Sequence, residues 1–184
     1  SAWSCTTVDD PSSSGSIGAA TSIGFDSNGT PWVAYWRADT EILRVATYVG
    51  SGGTGCTGNT TWTCTTVDDP SDAVGRQPSI AFDTSGAAWV SYNDWTTGYL
   101  KVAKYVASGG TGCTSTAWTC TNVVTTTTGV GNQPIAFDPY GNPWISYKDN
   151  AAQSLKVAKY VGGGSGSGCA STDWTCTTVQ DTAN

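Results

Sequence analysis

The sequence predicts an all-β protein built from a repeat of about 56 residues. Four tryptophans stand two residues before a cysteine, at spacings of 59, 56 and 56 residues: Trp3, Trp62, Trp118 and Trp174. Between them, short apolar and aromatic runs alternate with turn residues, and no window has the 3.6-residue period of an amphipathic helix. The abundant Gly, Thr and β-branched residues also disfavour helix. Because the repeat extends over nearly the whole chain, it sets the fold class.

Each repeat contains four predicted strands. The first is a short apolar run bounded by turn residues, and it reads SIGFD from Ser22, SIAFD from Ser79 and PIAFD from Pro134. The second is aromatic and β-branched, and it starts at Trp32, Trp89 and Trp144. The third alternates apolar and polar residues and starts at Leu43, Leu100 and Leu155. The fourth is the Thr-rich run that begins with the Trp-x-Cys motif.

The first and second predicted strands of each repeat are joined by an Asp that precedes a Gly by three residues. These aspartates are Asp26, Asp83 and Asp138. An Asp side chain can accept hydrogen bonds from backbone N–H groups two residues on, and Gly can take a positive φ. The spacing therefore predicts tight turns between antiparallel strands, with the three aspartates as turn caps.

Six of the seven cysteines fall in pairs, seven or eight residues apart, at the connection between the third and fourth strands. We expect local disulfides between Cys56 and Cys64, Cys113 and Cys120, and Cys169 and Cys176. Each disulfide closes one hairpin and stabilises it by about 2–3 kcal/mol through loop-closure entropy. Cys5 has no counterpart upstream, so we expect it to be unpaired or to form an intermolecular disulfide.

Four antiparallel strands repeating at this length are typical of a β-propeller blade. The block D-x-x-G-x-P-W-x-S-Y followed by L-K-V-A resembles the repeats of secreted bacterial and archaeal β-propellers of the sialidase-like, or Asp-box-like, group. The resemblance covers the whole chain and implies non-catalytic blades whose ligand-binding face is formed by the loops after the second and fourth strands. Residues 1–11 are then the fourth strand of a preceding or partner blade. Residues 12–69, 70–123 and 124–184 are three complete blades.

The blade count predicts an incomplete ring. Propellers close with about four to eight blades, so three blades and one extra fourth strand cannot close alone. We therefore expect the chain to be a segment of a longer array or to assemble with copies of itself. Its predicted partners are further repeats of a longer chain or other copies.

Composition excludes several classes of function. A net charge of −6 and a pI near 4.2 argue against nucleic acid and anionic membranes as partners. No apolar run approaches the roughly 20 residues of a membrane helix, so we expect no membrane insertion. The chain has no His, which excludes a His-based catalytic triad and His-ligated zinc. We predict no cofactor.

Cysteine use indicates an extracellular or cell-surface protein. Disulfides persist in oxidising compartments, and the charged fraction is only 12%. Asn28 and Asn59 begin N-glycosylation sequons. Four consecutive threonines form a candidate O-glycosylated loop: Thr125, Thr126, Thr127 and Thr128.

Catalysis is not expected. A sialidase-type site requires three arginines around a carboxylate, but Arg44 stands at a repeat position that is otherwise Lys. Glu41 is the only glutamate, so the chain has no Glu pair for glycoside hydrolysis. Asp9–Asp10 and Asp68–Asp69 could offer oxygen ligands to Ca²⁺, but the third repeat has Val124 there. We therefore interpret these aspartates as solvated loop residues and predict no metal site.

Two tryptophans depart from the repeat. Trp36 and Trp95 follow the second strand and have no equivalent in the third repeat; with Arg37 and Asp94 they are candidate ligand or interface residues. Exposed Trp side chains stack on sugars or become buried at interfaces. The favoured function is an extracellular structural or adhesive repeat module, part of a larger propeller or a self-assembling surface fibre. The alternative is a glycan-binding propeller lectin.

Overall fold

The chain folds into three antiparallel sheets. The computed structural model describes residues 2–10, 17–69, 73–126 and 128–181. In each sheet the strands are hydrogen-bonded in the order in which they follow along the chain. The first sheet comprises Ile17–Phe25 (β1), Pro31–Arg37 (β2), Ile42–Tyr48 (β3) and Trp62–Asp68 (β4). The second comprises Val74–Phe82 (β5), Ala88–Asp94 (β6), Tyr99–Tyr105 (β7) and Trp118–Val124 (β8).

The third sheet repeats this order with a broken first strand. Its strands are Val130–Gly131 (β9), Ile135–Phe137 (β10), Pro143–Asp149 (β11), Ser154–Tyr160 (β12) and Trp174–Gln180 (β13). Both β9 and β10 pair with β11. Between them lie Asn132, with a φ of 43°, and Pro134, which has no N–H to donate. The described residues contain no helix that is long and apolar enough to cross a membrane.

The N-terminal segment, predicted to be the fourth strand of a preceding or partner blade, forms no strand within the described chain. Residues 2–10 nevertheless carry the fourth-strand sequence. The described chain offers them no third strand of their own repeat to pair with, and a strand requires such a neighbour. The segment instead lies against the first sheet, where Val8 packs beside Tyr35 and Ala46.

The turns between the first and second strands have the predicted Asp caps. In the third sheet, Asp138 Oδ1 accepts hydrogen bonds from the backbone N–H groups of Tyr140 and Asn142, both at 2.9 Å. The Asn142 amide and these backbone donors lower the pKa of Asp138 to about 2. Asp26 and Asp83 accept the same pair of backbone bonds in the other two sheets.

The hairpins between the third and fourth strands contain three disulfides. They join Cys56 to Cys64, Cys113 to Cys120, and Cys169 to Cys176, which are the pairs predicted from the repeat. Gly110 lies in one of these loops, and a Cβ added to it would stand 2.0 Å from the carbonyl oxygen of Trp118. The loop therefore passes too close to the strand for any side chain at this position.

Removing one disulfide is expected to destabilise the chain without changing its fold. The double change Cys113→Ala and Cys120→Ala should lower the free energy of unfolding by about 2–3 kcal/mol, because the seven-residue separation closes only a short loop. Urea denaturation followed by tryptophan fluorescence measures this loss. Cys5→Ala is the matched control and should leave the unfolding midpoint unchanged, since Cys5 is exposed and free. Equal midpoints for all three proteins would contradict a stabilising disulfide.

The core lies between neighbouring sheets. Trp32 on the first sheet makes edge-to-face contacts with Phe82 and Tyr105 on the second, at centroid distances of 5.8 and 5.5 Å. Trp89 on the second sheet contacts Phe137 and Tyr160 on the third in the same way, at 5.9 and 5.5 Å. One packing arrangement is thus used at both interfaces.

The first strands of the sheets lie side by side. Ser22 Oγ accepts a hydrogen bond from Ile80 N at 3.1 Å, and Ser79 Oγ accepts one from Ile135 N at 3.2 Å. One hydroxyl per repeat therefore links each first strand to the next.

Candidate functional site

Each sheet has a front face, which packs on the preceding sheet, and a back face, which packs on the following one. The front of the first sheet has no preceding sheet in the described chain, and we call this surface the front end face; it contains Ile23, Phe25 and Tyr48. Ile23 is 59% exposed, whereas its counterpart Ile80 is 6% exposed. Phe25 and Tyr48 are also exposed, whereas their counterparts Phe82 and Tyr105 pack into the core. These three positions of the front end face are therefore apolar and exposed.

The back of the third sheet is open in the same way. We call this surface the back end face; it contains Trp144, Leu155 and Val179. Leu155 is 45% exposed, whereas Leu100, in the same repeat position, is fully buried. Trp144 is 37% exposed, against 6% for Trp89. Residues that form the core between sheets are thus presented to solvent at both ends of the chain.

A buried polar junction, formed by Asp68, Tyr92 and Lys101, joins the first sheet to the second. Asp68 Oδ2, at the end of β4, accepts hydrogen bonds from the Tyr92 hydroxyl and from Lys101 Nζ, both at 2.6 Å. All three residues are buried. Burial and the Asp68 carboxylate raise the pKa of Tyr92 well above its usual value. This buried contact therefore requires a protonated Tyr92 and an aspartate paired with a cation.

The N-terminal segment makes the same junction on the front of the first sheet. Asp9 Oδ2 accepts hydrogen bonds from the Tyr35 hydroxyl at 2.8 Å and from Arg44 Nη1 at 2.7 Å. Asp9, Tyr35 and Arg44 hold the repeat positions of Asp68, Tyr92 and Lys101. The interpretation of Asp9 and Asp68 as solvated loop residues is therefore wrong, because both bind a cationic side chain of the sheet they face.

The structure brings the two repeat-specific tryptophans together through an arginine. The Arg76 guanidinium lies 4.5 Å from the ring centroid of Trp36 and 4.6 Å from that of Trp95. Glu41 Oε1 lies 3.5 Å from Arg76 Nη2 and forms an ion pair with it. Cation–π contacts of this kind contribute about 0.5–2 kcal/mol each. The stack covers one face of each indole and fixes the orientation of the exposed Trp95 ring.

The other two candidate residues have local roles. Arg37 pairs with Asp39 at 2.8 Å, and this hydrogen bond raises the pKa of Arg37. Asp94 is buried, and its Oδ1 accepts a hydrogen bond from Thr97 N at 3.0 Å. Asp94 therefore caps the turn after β6. Trp36 and Arg37 lie within β2, whereas the sequence pattern predicts them after it, and Arg37 pairs with Asp39 of the turn that follows.

The predicted glycosylation positions differ in their surroundings. Asn28 is exposed in a turn. The side-chain amide nitrogen of Asn59 donates a hydrogen bond to the Thr7 carbonyl, and a glycan at this atom would compete with that contact. Thr125 and Thr128 are exposed, and Thr126 donates to the Gly98 carbonyl. Thr127 lies outside the described residues.

Sequence reasoning missed the arginine between the two tryptophans. Arg76 stands where the third repeat has Gly131, so the departure from the repeat was visible in the sequence. The contacts of Arg76 with Trp36 and Trp95 were not visible in the sequence, because β2, β5 and the turn after β6 come together only when the sheets pack.

Comparison with known proteins gives no family for this chain. No protein-family model matches the sequence, and no curated protein matches it at a significant level.

Proposed function

We propose that the chain is an extracellular structural repeat module of the β-propeller type, whose end faces dock further blades of the same kind. Those blades belong to another copy of the chain or to further repeats of a longer one. The three meander sheets, of which the third has a broken first strand, would be the three blades. The three disulfides support an oxidising, extracellular setting.

The observation that carries this proposal is the pair of complementary end faces. Inside the chain, each back-face Trp inserts between a Phe and a Tyr of the next front face. The back end face offers an exposed Trp144, and the front end face offers an exposed Phe25 and Tyr48. Each end therefore carries half of an interface that the chain already makes twice.

The number of sheets in each chain limits how many copies can form a closed ring. A head-to-tail contact closes into a ring when the rotation allows it. Propellers have about four to eight blades, and six is the only multiple of three within that range. Two copies therefore give one closed ring of six sheets, with two equivalent contacts between Trp144 and the opposite front end face.

The N-terminal segment covers part of the front end face. Val8 and Asp9 lie there in the positions that Val67 and Asp68 occupy against the second sheet. In a two-copy ring, Val179 and Gln180 of the other copy would replace them. We therefore expect association between copies to be reversible and dependent on concentration.

Substitutions on each end face test the proposal. Phe25→Ala and Trp144→Ala should each weaken self-association at least about tenfold, because each removes a ring from the contact. Sedimentation velocity over a range of concentrations measures the dissociation constant. Tyr140→Ala is the matched control, since Tyr140 is an exposed aromatic in a turn outside both end faces. Equal association of the control and both variants would refute docking through the end faces.

A further inference from the structure

A small cleft opens between the second and third sheets, beside the turn after β6. It has a volume of about 180 Å³ and is lined by Asn93, Trp95, Thr96, Thr128 and Asn150 together with nearby backbone. This volume is below the roughly 300 Å³ at which pockets for drug-sized ligands begin. The cleft therefore has space for one small ring.

One of the residues that line the cleft has an unused hydrogen-bond acceptor. Asn93 is 2% exposed, and its Nδ2 donates to the Val130 carbonyl at 2.5 Å. Its Oδ1 is buried and has no partner among the described residues. Leaving a buried polar atom without a partner costs about 1–3 kcal/mol, and a ligand hydroxyl would recover this energy if the Asn93 side chain turned its Oδ1, which has almost no accessible surface, toward the cleft.

The wall of the cleft contains an oriented aromatic ring. Trp95 is 61% exposed, and the Arg76 guanidinium lies over one face of its indole. An aromatic ring that is already held in place binds with less loss of conformational entropy than a free one. A ring with an apolar C–H face could stack on the part of Trp95 that remains open.

The remaining lining groups are polar and uncharged. Thr96 and Thr128 carry hydroxyls, and Asn150 carries an amide, so these groups can both donate and accept hydrogen bonds. No charged side chain lines the cleft within the described part of the chain. Arg76 lies behind Trp95 and close to Glu41, which offsets its charge. These features favour a neutral ligand rich in hydroxyl groups.

We propose that this cleft binds a single neutral sugar residue, such as the end of a glycan. The sugar would stack its C–H face on Trp95, and one of its hydroxyls would donate to Asn93 Oδ1 after the Asn93 side chain turned toward the cleft. Thr96, Thr128 and Asn150 would bind the other hydroxyls. The proposal does not depend on the end faces, because no residue of either end face lines the cleft.

Ligand-observed NMR with defined sugars tests the site. The probes are the methyl α- and β-glycosides of glucose, galactose, mannose and N-acetylglucosamine, with glucuronate and sialic acid as charged comparisons. At least one neutral glycoside should bind with a dissociation constant of about 1 mM or tighter. Trp95→Ala should weaken this binding at least about tenfold, and Asn150→Ala should weaken it less.

Two controls separate loss of the site from loss of the fold. Tyr140→Ala removes an exposed aromatic outside the cleft and should bind the sugar as the parent chain does. The unfolding midpoints of Trp95→Ala and Asn150→Ala show whether each variant remains folded. The proposal is overturned if no neutral glycoside binds, if a charged sugar binds more tightly, or if both folded variants bind as the parent does.

Discussion

Trp89→Ala is expected to lower the free energy of unfolding by about 3–5 kcal/mol. Trp89 is almost fully buried between the second and third sheets, where it contacts Phe137 and Tyr160. The substitution removes both aromatic contacts and leaves a cavity in the core. Urea denaturation at low protein concentration measures the loss.

Trp144→Ala is the matched control for this prediction. Trp144 occupies the same repeat position, and its indole N–H donates to Asp138 at 3.1 Å as that of Trp89 donates to Asp83 at 3.0 Å. A lysine lies over each indole, Lys159 at 5.1 Å and Lys104 at 4.9 Å. The two tryptophans thus differ mainly in the sheet that packs against them.

The comparison of the two variants isolates the contribution of that neighbouring sheet. At a concentration at which the chain does not associate with itself, Trp144→Ala should lower the free energy of unfolding by only about 1 kcal/mol, because the Trp144 side chain is partly exposed. Equal losses for the two variants would contradict an open back end face.

Asp68→Ala is expected to destabilise the chain by about 3–5 kcal/mol. The substitution leaves Lys101 and the Tyr92 hydroxyl buried without their common acceptor. Thermal or urea unfolding measures the loss. Asp69→Ala is the matched control, because Asp69 is exposed, and it should stay within about 0.5 kcal/mol of the parent chain.

An apolar replacement of the whole ion pair should recover most of this loss. The double change Asp68→Val and Lys101→Met removes both charges, and buried ion pairs can often be replaced in this way at little cost. The interface between the second and third sheets supports this expectation: Val124 of β8 stands in the position of Asp68, and Lys156 of β12 binds Asp149 of its own sheet at 2.7 Å. A double variant as unstable as Asp68→Ala would show that the unpaired lysine is not the cause.

The strands and disulfides could be predicted because the sequence of each one occurs three times along the chain. One strand in isolation is ambiguous, but three aligned copies separate the repeated core positions from local variation. For residues 2–10 the repeat predicts a strand of a preceding or partner blade, and this stays a prediction. Their sequence is that of a fourth strand, but strand formation depends on a neighbour that the described chain does not provide.

The candidate site could be predicted only in part. Trp36 and Trp95 were identified because they depart from the repeat, but the position of Arg76 between them depends on how two sheets pack. Asp9 and Asp68 were misinterpreted because their cationic partners lie 35 and 33 residues along the chain. The end faces could not be predicted from residue type, since Leu155 and Leu100 are identical residues in different surroundings.

Sedimentation equilibrium of the purified chain tests docking between end faces most directly. We expect a reversible shift from the 18.9 kDa of one chain to twice that mass as the concentration rises. Phe25→Ala and Trp144→Ala should remain closer to the mass of one chain at the same concentrations. A parent chain that keeps the mass of a single copy up to about 1 mM would contradict the account.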